Sequence, residues 1–96
     1  MEFDIEVKEF LKGLKTIEKA GKFCYIEAKD DKICLKASCT IFTIITFVSA
    51  EIIEEGETLV SLQDLKKFVT KCNKKIRLRV ESNKLQTTDK YPCLAI

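Results

Sequence analysis

Histidine is absent from the 96 residues, proline occurs once and glycine three times. Without histidine, the commonest general base and the commonest nitrogen ligand for metals are both missing. Gly13, Gly21 and Gly56 form no phosphate-cradling loop. The five cysteines, Cys24, Cys34, Cys39, Cys72 and Cys93, are odd in number and include no CxxC pair. That pattern argues against a zinc site and for reduced thiols in a cytoplasmic protein. A cysteine nucleophile would have only acids or lysines as its base. Neither catalysis nor a cofactor is expected.

Long apolar runs are missing too. Ile41 to Ala50 is the longest, well short of the roughly 20 residues a membrane-spanning helix needs. Its threonines and β-branched residues suit a strand. Met1 to Val7 is acidic and alternates in polarity, unlike a signal peptide. No membrane association is expected.

What is present suffices for a core. The hydrophobic fraction of 46% is that of an ordinary globular chain, and the length allows one domain spanning 1–96. The stability margin of so small a domain is thin. Phe3, Ile5 and Val7 alternate as in a strand. Phe10, Leu11, Leu14 and Ile17 recur at helical spacing and predict a helix over about Lys8 to Ala20, with Gly21 as its stop. Strands follow at Phe23 to Lys29 and Lys32 to Ser38, joined at Asp30-Asp31, and a long strand at Ile41 to about Ile53.

After the acidic joint Glu54-Glu55-Gly56-Glu57 the order repeats. Thr58 to Val60 reads as a strand, and Ser61 caps a helix bearing Leu65, Phe68, Val69 and Cys72, ended by Asn73. Lys75 to Glu81 alternates as a strand, Ser82-Asn83 turns, Lys84 to Thr88 returns, and Tyr91 to Ile96 forms a last strand. The chain thus reads as α+β, two β-α-β-β-β halves (1–53 and 57–96). Two helices pack on one face of a mostly antiparallel sheet, with Phe10, Leu14, Ile17, Leu65, Phe68 and Val69 buried against it.

The net charge of +2 conceals an uneven distribution. Lys8, Lys12, Lys15 and Lys19 fall on one stripe of the first helix, opposite its apolar residues. Lys67, Lys71 and Lys74 repeat the arrangement on the second. Most acids lie elsewhere, at Glu2, Asp4, Glu6, Asp30, Asp31, Glu51, Glu54, Glu55 and Glu57. Lysines on an exposed helix face are commonly just solvated. Two matching stripes with few acids among them also suit non-specific attraction to phosphates, since base reading favours Arg, Asn or Gln forks.

Several local patterns resemble the bacterial DNA polymerase III β subunit, the sliding clamp, over essentially the whole chain and most closely its first domain. Phe3-Asp4-Ile5 followed by Glu9-Phe10-Leu11-Lys12-Gly13-Leu14 is similar to that family's opening strand and helix. Tyr25 to Ala37 is similar to its hairpin, and Glu54-Glu55-Gly56-Glu57-Thr58-Leu59-Val60-Ser61 leading into Leu65, Phe68 and Val69 to its second strand–helix entry. There are departures. Family subunits carry three such domains. The loop after the first helix is cut to Gly21-Lys22, and an aspartate usual after the second hairpin strand is replaced near Cys39 or Thr40. The family's peptide-binding pocket lies mainly on later domains and is not carried over.

The resemblance implies a non-enzymatic DNA-clamp-like domain in DNA replication, its helices turned towards double-stranded DNA. Lys8, Lys12, Lys15, Lys19, Lys22, Lys67, Lys71 and Lys74 would then face the duplex. It also implies sheet edges that pair between neighbouring domains, here through Ile41, Thr43, Ile45 and Phe47 on one edge and Tyr91, Cys93, Leu94 and Ile96 on the other. Both runs are apolar and lack guarding charges. The implied partners are duplex DNA and either further copies of the chain, head to tail in a ring of six, or a host sliding clamp.

Overall fold

Alternating polarity in the first residues gives β1 (Glu2–Glu6), with Phe3 and Ile5 fully buried. The computed structural model describes residues 1–81 and 84–86. β1 runs straight into α1 (Val7–Ile17), which buries Val7, Phe10, Gly13, Leu14 and Ile17 as one stripe. The edge of the Phe10 ring meets Phe3, with centroids 6.3 Å apart. α1 is shorter than the expected Lys8 to Ala20. Residues 18–20 form a closing turn in which the Ala20 amide donates to Ile17. Gly21 is not a left-handed helix stop. Its need is space, because a Cβ there would lie 2.8 Å from the Ser38 carbonyl oxygen.

β2 (Phe23–Lys29) and β3 (Lys32–Ser38) form a hairpin. Its two turn residues, Asp30 and Asp31, have φ of 55° and 60°. Two positive φ values suit the right-handed twist of the flanking strands, and aspartate tolerates them better than most side chains. The expected long strand from Ile41 to Ile53 divides into β4 (Thr43–Ser49) and β5 (Glu51–Glu54). The reason lies in β3, which begins at Lys32, opposite Ser49. Beyond Ser49 no described strand continues the pairing on that side. The chain crosses at Ala50, whose amide donates to Asp31 at 3.3 Å, and pairs with β1 instead. Ile41 and Phe42 precede β4 in a turn closed by the Cys39 amide on the Phe42 carbonyl.

β6 (Gly56–Ser61) leads into α2 (Leu62–Thr70), capped as expected by the Ser61 hydroxyl, which accepts from the Asp64 amide. Leu65 and Val69 are fully buried, whereas Phe68 is only partly buried. β7 (Lys75–Glu81) and β8 (Lys84–Gln86) complete the described elements. The Ser82-Asn83 turn and the Tyr91 to Ile96 strand, with Tyr91, Cys93, Leu94 and Ile96, lie outside the described residues.

The described strands form two sheets, each antiparallel throughout. Sheet I has the order β5-β1-β7-β8 and sheet II the order β4-β3-β2-β6. The leading strands of the two strand–helix units are exchanged. β1 pairs with β7, which follows α2, and β6 pairs with β2, which follows α1. Inward residues of both sheets and both helices join one apolar cluster.

Candidate nucleic-acid interface

The two helices lie antiparallel. The amide that opens α1, on Val7, meets the carbonyl of Lys74 beyond the end of α2. Leu62, which opens α2, meets the carbonyl of Lys22 beyond α1. Lys66, midway along α2, pairs with Glu18 at the end of α1, at 2.5 Å. This hydrogen bond and the nearby charges of Lys66, Lys15 and Lys19 outweigh burial and hold the Glu18 carboxyl below its usual range.

All eight expected lysines (Lys8, Lys12, Lys15, Lys19, Lys22, Lys67, Lys71 and Lys74) are exposed. At about 100° per residue Lys8, Lys12 and Lys15 on α1 span an arc of about 60°, opposite the buried stripe, and Lys19 lies in the turn that follows. Lys67 and Lys71 face away from Leu65 and Val69 in the same way and line a shallow groove with Gln63, Lys66 and Thr70. A cleft opens at each end of the helix pair. One, of about 430 Å³, includes Glu18, Lys22 and Lys66. The other, of about 560 Å³, includes Lys8, Lys74 and Lys75. The stripes therefore run along the helices and continue into both ends. Lys66 and Lys75 join this basic surface without having been singled out in the sequence. Lys66 could have been, as the neighbour of Lys67. Its ion pair with Glu18 required the helices to meet.

On the proposed edges, β4 is the border strand of sheet II among the described strands. Thr43, Ile45 and Phe47 point outward on it, Ile45 and Phe47 being 51% and 60% exposed. Ile41 lies in the preceding turn at 86% exposed and is not part of the strand.

Glu2 and Asp4 of β1 are not loose surface charges. Asp4 is buried beneath Arg77 of β7, which donates to both its oxygens at 2.6 and 2.9 Å. Glu2 lies 3.8 Å from Arg77 and 3.7 Å from Arg79. Across sheet II, Tyr25 donates its hydroxyl to Glu57. That bond first, then burial, pushes the phenol up to about 12.

No described helix is long and apolar enough to cross a membrane. No protein-family profile and no curated protein matches the chain. Solved structures do match in fold. The chain is similar to Caulobacter crescentus pol III beta, with a TM-score of 0.82 at 17% identity, over 100% of this chain and 30% of that one. Against the DNA polymerase III subunit beta of Pseudomonas aeruginosa the values are 0.83 and 19%, over 100% and 30%. Against the beta subunit of Streptococcus pyogenes DNA polymerase they are 0.83 and 16%, over 98% and 29%. The fold is that of a bacterial sliding-clamp domain, and the chain spans about a third of those structures' length.

Proposed function

We propose that the chain is a non-enzymatic, clamp-like module of DNA replication that holds duplex DNA without regard to sequence. The observation that carries this reading is the pair of exposed lysine stripes on two antiparallel helices, in a fold shared with polymerase β subunits. Lysine ammonium groups on long stems meet phosphates as mobile point charges. Such contacts release counterions and supply affinity, and they leave the register along the duplex free. The test is fluorescence anisotropy with a duplex of arbitrary sequence over a range of salt. Binding should weaken steeply with salt. Changing Lys12, Lys15, Lys67 and Lys71 together to glutamate should abolish it with circular dichroism unchanged. Equal binding by that variant sinks the reading.

A second reading follows from the border strand β4, which exposes Ile45 and Phe47 and whose outer backbone edge has no partner among the described strands. Such an edge supports pairing with another clamp-type domain. The partner is either a further copy, head to tail around a ring, or a host sliding clamp. Light scattering separates these, since a monomer cannot encircle DNA. Binding to a full-length clamp without affinity for DNA would favour the host-clamp partner.

A further inference from the structure

One pair of opposite charges ties the two helices together within the basic surface. Glu18 is the C-cap of α1 and keeps helical dihedrals, which sets it about a quarter turn from the lysine stripe. Its ion pair shows that this flank faces α2, where Lys66 meets it. Both side chains are partly exposed. Lys15 and Lys19 also act on the Glu18 charge and, with Lys66, hold the carboxyl ionised. An anion is thus already seated among lysines, where a phosphate would otherwise sit. The other acids of the helices are placed differently. Glu9 lies on the opposite flank of α1, beside Thr46 and Ser49 of β4. Among the described residues, neither Glu9 nor Asp64 forms an ion pair.

We propose that Glu18 is an internal competitor for DNA phosphate, keeping Lys66 occupied and holding the grip of the helical face below what its lysines alone would give. Resting on the DNA-binding reading, this role sets how strongly the same surface holds the duplex. A lysine gains affinity by displacing a condensed cation from a phosphate. Lys66 can do so only by giving up Glu18, and the carboxylate left behind then repels the same phosphate. The two effects oppose each other, so Lys66 adds little. A weak grip of this kind suits a protein that moves along the duplex. Stability offers no comparable reason for the pair, because an exposed ion pair contributes little to it.

The test is duplex affinity by fluorescence anisotropy over a range of salt, with circular dichroism of each variant to show an intact fold. Glu18→Gln should bind more tightly than wild type, and its log–log salt dependence should steepen by about 0.9, the contribution of one freed lysine. Its advantage over wild type should therefore shrink about 3.5-fold for a fourfold rise in salt. Adding Lys66→Gln should remove the extra slope, because Lys66 is the lysine released. Glu9→Gln makes the same change in net charge on the flank away from α2 and should leave the slope unaltered. A Glu18→Gln variant with the wild-type slope, or a Glu9→Gln variant that steepens it equally, would overturn the role of Glu18 alone. A wild-type chain without duplex affinity at the lowest salt would overturn the DNA-binding reading, and the role of Glu18 with it.

Discussion

The backbone amide of Val7 donates to the carbonyl of Lys74 at 2.7 Å, across the full depth of the sequence. The bond satisfies the first orphan donor of α1, whose preceding residue, Glu6, offers no side-chain cap. Its counterpart is Leu62 to Lys22 at 2.9 Å. Each helix is thus started by the segment that follows the other helix, just as each leading strand pairs within the other sheet. Two of the lysines that face the helix ends are positioned by these backbone bonds.

Lys74 holds φ at 61°, in the left-handed region. That conformation costs an L-residue with a Cβ about 1–2 kcal/mol, and glycine avoids the cost. Lys74→Gly should therefore leave chemical denaturation unchanged or raise stability by up to about 1 kcal/mol, after the entropy glycine adds to the unfolded chain. On the DNA-binding reading, the same variant should flatten the log–log salt dependence of duplex affinity by about 0.9. Lower stability would show that the hydrogen bond from the Val7 amide to this carbonyl had been weakened.

Gly13 lets α1 approach sheet II. A Cβ there would lie 2.8 Å from a Val48 methyl and 2.9 Å from a Leu35 methyl. Val48 is β-branched and cannot swing aside freely. Gly13→Ala gains about 1 kcal/mol in helix propensity. Overpacking opposes this by about 1–3 kcal/mol, so urea denaturation should show net destabilisation. Adding Val48→Ala should recover part of the loss, a non-additivity that distant sites do not show.

Asp4 is 7% exposed and takes both donors of Arg77. Asp4→Asn keeps its size and removes its charge, at an expected cost of about 1.5–3 kcal/mol. The exposed pair of Glu18 and Lys66 is the control. Glu18→Gln should produce no measurable change in the denaturation midpoint, because solvent screens an ion pair there.

The thiols should react in order of exposure. Burial pushes Cys24 up to about 12, against a smaller lowering by a backbone hydrogen bond at Lys36. Burial also raises Cys34 and Cys72, whereas Cys39 is exposed. Peptide mapping after brief iodoacetamide treatment at pH 8 should find Cys39 labelled and Cys24 protected until denaturant is added. Early labelling of Cys24 would mean that β2 opens in the native state.

Much of this molecule can be read from local pattern. The stripe of Phe10, Leu14 and Ile17, the Ser61 cap, and the alternation of Lys75 to Glu81 each need only near neighbours to declare a helix or strand. The lysine stripe of α1 is equally local, because helical geometry alone places Lys8, Lys12 and Lys15 together. Periodicity also assigns Asp4 an outward face.

Long-range pairing decided the rest. Ile41 to Ile53 has one composition, and only the start of β3 at Lys32 makes it change sheets at Ala50. Asp4 became a buried carboxylate because β7, more than seventy residues away, set Arg77 beside it. Phe68 carries the same apolar label as Leu65, yet its place at the margin of the helix stripe leaves it partly exposed. The outward rows of sheet II combine residues from four strands whose order, β4-β3-β2-β6, no local signal encodes. The sequence determined which residues would be helix, strand and basic surface, since those depend on spacings within one or two turns. Tertiary structure alone decided which strands became neighbours, because that choice balances burial and backbone pairing over the whole chain at once.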